Sequence, residues 1–89
     1  MKHKDFKKRL LKDSVSKAEY DALEPEYQLM LAAIDARESK NLTQSELAKL
    51  VGTSQANISK LENCELNPSI AFLKRFAEAC DVKLTLRFQ

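Results

Sequence analysis

Eighty-nine residues, 44% of them hydrophobic and carrying a formal net charge of +2, suffice for one compact core and exclude two independent domains. One glycine, two prolines and no tryptophan favour a mostly helical chain over a sheet-rich one. No apolar run reaches signal-peptide or membrane-spanning length, and Cys64 and Cys80 stand too far apart, with no histidine near them, for a zinc site or a disulfide scaffold, so a soluble cytoplasmic protein with reduced thiols and no cofactor is expected.

Taken from the start, Phe6, Leu10 and Leu11 fall at helical spacing among lysines, which predicts a short amphipathic helix from Asp5 to Leu11 inside a basic arm, Lys2 to Lys12. Ser16, with Glu19 three residues on, has the form of a capping box and opens a brief helix to about Leu23. Pro25 fits the first turn of a third helix, which buries Leu29, Met30, Ala33, Ile34 and Ala36, turns Asp35, Glu38 and Lys40 to water and ends at Asn41. Thr43 and Glu46 repeat the capping pattern for a fourth helix with Leu47, Ala48, Leu50 and Val51 inward, and Gly52 stops it.

Thr53 or Ser54 caps the next helix, whose inward residues are Ile58 and Leu61 and which runs to about Asn63. Pro68 and Ser69 open a last helix burying Ile70, Leu73, Phe76 and Ala77. The period then changes from helical to two: Val82, Leu84, Leu86 and Phe88 alternate with Lys83, Thr85, Arg87 and Gln89, the pattern of a strand with one apolar face. No earlier segment reads as its partner. Pairing with the same segment of a second copy would complete the ladder and make a two-fold dimer; the alternative is a strand lying flat on its own helices.

Leu42 to Asn63 therefore spell two short helices joined by a tight turn, with small Ala48 at the crossing, Gly52 in the turn and Ile58 as anchor. Such a pair is a DNA-reading device, although a plain helical hairpin uses the same turn. The exposed start of its second helix carries Thr53, Ser54, Gln55, Ala56 and Asn57, with Lys60 further along. Amides pair with adenine or phosphate, a methyl touches thymine, and an ammonium reaches guanine or phosphate. Gln44, at the head of the first helix, is better placed for the DNA backbone. Each has a plainer role open to it: Ser54 as a cap, Asn57 and Lys60 as solvated groups.

LTQSELAKLVG, TSQANISKLEN and NPSIAFLKRFAEACDV together resemble the helix-turn-helix domain of the Xre/Cro family of phage repressors, over residues 42–82. The resemblance implies an all-α, lambda-repressor-like bundle in which Gln44 positions while Gln55, Ala56 and Lys60 read, and in which Glu62 faces a basic side chain that the sequence does not identify. Cys64 stands where the family commonly has glycine, and Ala56 where some members carry a second glutamine.

With FKKRLLKD in front and VKLTLRF behind, the whole chain is similar to antitoxins of the HigA, or host-inhibition-of-growth, type. That likeness implies one compact domain with three parts: a helical extension over 1–41 that holds a toxin, the DNA-binding domain over 42–82, and a dimerising strand over 83–89. It implies neutralisation of a small basic RelE-like messenger-RNA-cleaving toxin and repression of the protein's own operon at an inverted repeat. Residues 14–41 carry six acids against three bases, which suits a basic partner, with Tyr20, Leu23 and Tyr27 interleaved as contacts and Phe6 and Leu10 in the arm. Those three side chains would equally serve to pack the extension onto the domain. A stand-alone phage or plasmid regulator is the competing reading. An enzyme has little behind it: His3 is the single histidine, and no nucleophile, base and orienter can be assembled.

Overall fold

A computed structural model of the chain describes residues 16–88. The helix expected from Asp5 to Leu11, with Phe6 and Leu10, and the rest of the basic arm lie outside the described residues. Five helices are described: α1 Lys17–Asp21, α2 Pro25–Ser39, α3 Gln44–Val51, α4 Gln55–Leu61 and α5 Ile70–Ala79.

Four of the five described helices start where the sequence provides a side-chain partner for a free N–H group. The hydroxyls of Ser16, Thr43, Ser54 and Ser69 accept from the N–H three residues on, heading α1, α3, α4 and α5. At α3 the box closes both ways, because Thr43 N–H also donates to Glu46 Oε1 at 2.8 Å. That bond holds the Glu46 carboxyl below its ordinary range. α2 starts on Pro25, which has no N–H to satisfy.

Four helices leave by one route. Asn41, Gly52, Cys64 and Asp81 follow α2, α3, α4 and α5 with φ of 55°, 85°, 60° and 58°. Beyond each, the next N–H returns to a carbonyl in the last turn: Leu42 to Arg37 at 3.3 Å, Thr53 to Ala48 at 2.9 Å, Glu65 to Lys60 at 2.8 Å and Val82 to Ala77 at 2.9 Å. This is the closing pattern of a left-handed cap, and only one of the four residues is a glycine.

The core has two parts that share α2. Ala33 faces the larger, with Leu47, Ala48, Val51, Ile58, Leu61, Phe72, Phe76 and Cys80. Met30, Leu31 and Ile34 form the smaller, against which Tyr20, Leu23, Tyr27 and Cys64 pack. The extension is thus fastened to the bundle by those side chains. Tyr20 adds hydrogen bonds to Gln28 in both directions, its hydroxyl donating to the Gln28 carbonyl and its own carbonyl accepting from Gln28 Nε2.

Two residues expected inside are outside: Leu50 is 62% and Ile70 51% exposed. On α3 the buried stripe is Leu47, Ala48 and Val51, and Leu50 lies about 100° of helix rotation from its centre. Ile70 opens α5 and lies off the stripe of Phe72, Phe76 and Ala77. Leu31, Phe72 and Cys80 join the core instead.

The strand expected at Val82–Phe88 does not form; among the described residues there is no strand. A ladder needs a neighbouring extended segment, whereas every regular element described is helical and spends its backbone groups internally. Leu84 is half-buried, while Val82, Leu86 and Phe88 are exposed.

Candidate nucleic-acid interface

The turn at Gly52 is short because its backbone is left-handed and its N–H closes on Ala48 O at 2.9 Å. It aims α4 across α3, with Ile58 and Leu61 buried beneath. What remains outside is the start of α4 together with the start of α3. Gln55, Ala56 and Lys60 are exposed, as is Ser54, and Gln44, Thr53 and Asn57 are half-buried.

A chain of hydrogen bonds connects this surface to the interior. Glu62 is fully buried, and its carboxylate takes Arg37 Nε at 2.7 Å and Arg37 Nη2 at 3.0 Å as a two-pronged ion pair. Arg37 Nη1 donates to Leu42 O at 2.8 Å, tying the end of α2 to the entry of α3. The pair raises the Arg37 guanidinium above its ordinary value, chiefly through the hydrogen bond to Glu62, so it stays charged. Arg37 is the partner that the resemblance left unnamed. It lies twenty-five positions before Glu62, a separation that no helical period encodes.

Outward from Glu62, Gln44 Nε2 donates to Oε1 of the carboxylate at 3.1 Å, and Gln44 Oε1 accepts from Gln55 Nε2 at 3.1 Å. The direction of this relay is set at its buried end. A carboxylate only accepts, so Gln44 must turn its N–H inward and its oxygen toward Gln55. Gln55 must in turn donate to Gln44, which leaves its oxygen and one N–H for a base edge.

The remaining expected contacts divide. Ser54 spends its hydroxyl capping α4 at Asn57 N–H, 3.1 Å away. Asn57 Nδ2 donates to Thr53 Oγ1 at 2.9 Å, so both groups brace the turn. Asn63 Nδ2 similarly returns to Ser59 O at 2.8 Å and steadies the far end of α4. Ala56 and Lys60 stand exposed on α4 beside Gln55, one turn of helix apart. A methyl, an amide of set direction and a long cation on one helical face can read a groove.

Burial raises both thiols, Cys64 and Cys80, above the ordinary thiol range, which disfavours the nucleophilic thiolate. Among the described residues no group of three or more His, Cys, Asp or Glu is arranged to hold a metal ion. Nor is any helix there long and apolar enough to cross a membrane.

Compared with known families, residues 34–86 match the family model described as helix-turn-helix. No curated protein and no solved structure matches the chain.

Proposed function

Because the chain belongs to the helix-turn-helix family, of Xre/Cro type, over residues 34–86, we propose that it is a sequence-specific DNA-binding repressor that works as a two-fold dimer. The relay from buried Glu62 through Gln44 to Gln55 carries this reading, because it presents one amide at the groove face in a fixed direction. In the proposal Gln55 reads adenine, Ala56 contacts a thymine methyl, and Lys60 reaches guanine or a phosphate. Gln44 sits against the DNA backbone at the head of α3, where free N–H groups and the helix dipole favour an anion. Thr53, Ser54 and Asn57 hold the turn and contact DNA only in passing.

The dimer half of the reading rests on Val82, Leu84, Leu86 and Phe88, an alternating segment for which the described residues offer no partner strand and which leaves Val82, Leu86 and Phe88 exposed. Two copies should protect an inverted repeat whose half-sites lie about 34 to 36 Å apart. Footprinting tests this, and protection of a single half-site counts against the dimer. Gln55→Ala and Lys60→Ala should each relax base preference, by a discrimination of about 1–3 kcal/mol per lost bidentate contact. Equal losses on specific and random DNA would remove both from the reading face.

At a finer level we read the protein as an antitoxin that also represses its own operon. The support is a run of exposed acids over α1 and α2, namely Glu19, Asp21, Glu24, Glu26, Asp35 and Glu38, which suits a small basic RNA-cleaving toxin. Tyr20, Leu23 and Tyr27 are half-buried against Met30, Leu31 and Ile34, so toxin contact at these positions would use only their outer edges. Co-expression with the product of an adjacent gene, followed by co-purification and growth rescue, tests the antitoxin role. No association and no rescue would leave a stand-alone regulator.

A further inference from the structure

Beside residues 82–84, α2 and α5 part to leave an open groove of about 110 Å³. Leu29, Ala33, Ala36, Leu73, Phe76 and Leu84 line it, with Lys83 as the charged group on its wall. The space is of the order of a phenyl ring, since an apolar cavity of about 150 Å³ takes up benzene. Two and four residues beyond Leu84, on the same chain, Leu86 is 65% and Phe88 fully exposed. An aromatic ring in water and an apolar groove of its size therefore occur on one molecule.

We propose that the two belong together across a dimer: Phe88 of one copy seats in the α2/α5 groove of the second, and the exchange is reciprocal. This rests on the dimeric reading given above and says where its contact lies. The chain's own groove is a poor destination. Leu84 already forms part of the wall, so Phe88 would have to turn back within Thr85, Leu86 and Arg87, and none of these is a turn former. A second copy supplies the ring with no reversal. With one groove and one anchor per chain, the exchange closes at two copies when it is reciprocal about a two-fold axis.

Charge around the groove is of both signs, with Lys83 on the wall and an acid on the α2 side. Arg87 precedes the anchor, and Asp35 is exposed on α2 three residues after Ala32, which lines the groove. Residues three apart share a helix edge, so in the exchange Arg87 of the second copy pairs with Asp35 on the α2 side, and Lys83 on the wall is the like charge it must pass. Two Phe88 and two Leu86 side chains with the surface they cover amount to an interface on the order of 1,000 Å², at the lower end for specific association.

The chain has no tryptophan, so Phe88→Trp makes emission a direct report on this one position. Emission should shift to the blue with rising protein concentration, in step with dimer mass from sedimentation. Adding Ala36→Lys to the same chain should abolish the shift and return the monomer. Phe88→Ala should raise the dimer dissociation constant at least about tenfold, as loss of a central aromatic anchor does. Arg87→Glu should weaken the dimer, and Asp35→Arg in the same chain should restore it. A dimer of unchanged affinity in Phe88→Ala and Ala36→Lys overturns the groove contact and leaves the dimeric reading intact on another face. A monomer at every concentration that also binds two half-sites independently overturns both. Blue-shifted emission from a monomer means the ring folds onto its own groove, which likewise overturns the exchange.

Discussion

Glu62 has no choice of hydrogen-bonding role, and this one-sidedness is what the surface amide inherits. Replacing it by glutamine keeps the volume and removes both the charge and the direction, since a neutral amide at position 62 can offer Gln44 either an oxygen or an N–H. Two effects should separate. The Arg37 side chain, only 15% exposed, loses its anion, and stability should fall by about 3 kcal/mol, read as a lower urea midpoint. Discrimination at the base facing Gln55 should also drop, by about tenfold, as one charge-assisted bond is lost from the relay. Gln44→Ala leaves the ion pair in place and is the control. It should cost little stability, yet weaken binding to all sequences and relax preference at the same base. Intact discrimination in both variants would mean that Gln55 is oriented by something else.

At the scale of elements, the left-handed exits make a series with one glycine and three residues that carry a Cβ. A side chain in that conformation costs roughly 1–2 kcal/mol, with asparagine and aspartate tolerating it best. Cys64 therefore bears the most strain, and Cys64→Gly should raise stability by about 1 kcal/mol, reduced by loss of the sulfur contact to Met30 Sδ at 3.5 Å. Gly52→Ala should lower it by about 1–2 kcal/mol through backbone conformation alone, because nothing lies within 4 Å of the added carbon. Thermal melts of the two variants should move in opposite directions. Helix starts and stops were legible in the sequence because caps are local: Ser16, Pro25, Thr43, Gly52 and Ser69 announce themselves within four residues. The apolar faces were less so, since Leu50 and Ile70 differ from buried leucines only by an angle about the helix axis. Arg37 was not legible as part of the interface, because its meaning depends on a carboxylate from another helix. The alternation at 82–88 was real, but alternation describes which way side chains point and leaves open whether a ladder exists.

At the scale of the whole molecule, the helix pair that reads carries little net charge. From 42 to 67 the chain holds Lys49 and Lys60 against Glu46, Glu62 and Glu65, while α1 and α2 display acids. With about two phosphates neutralised per chain, the slope of log K against log salt for a dimer should be near −4. A slope much steeper than this in binding titrations would bring the basic arm at Lys2–Lys12 into the contact. Affinity must then come from elsewhere, and the relay that spans α2, α3 and α4 supplies one source. Long polar side chains ordinarily surrender up to about 1.5–2 kcal/mol of rotamer freedom when they are fixed. Gln44 and Gln55 surrender part of theirs when the protein folds, before any DNA arrives. The entropy of recognition is thus drawn in advance from folding stability, and variants that free these two amides should bind with a less favourable entropy even where every contact to DNA can still be made.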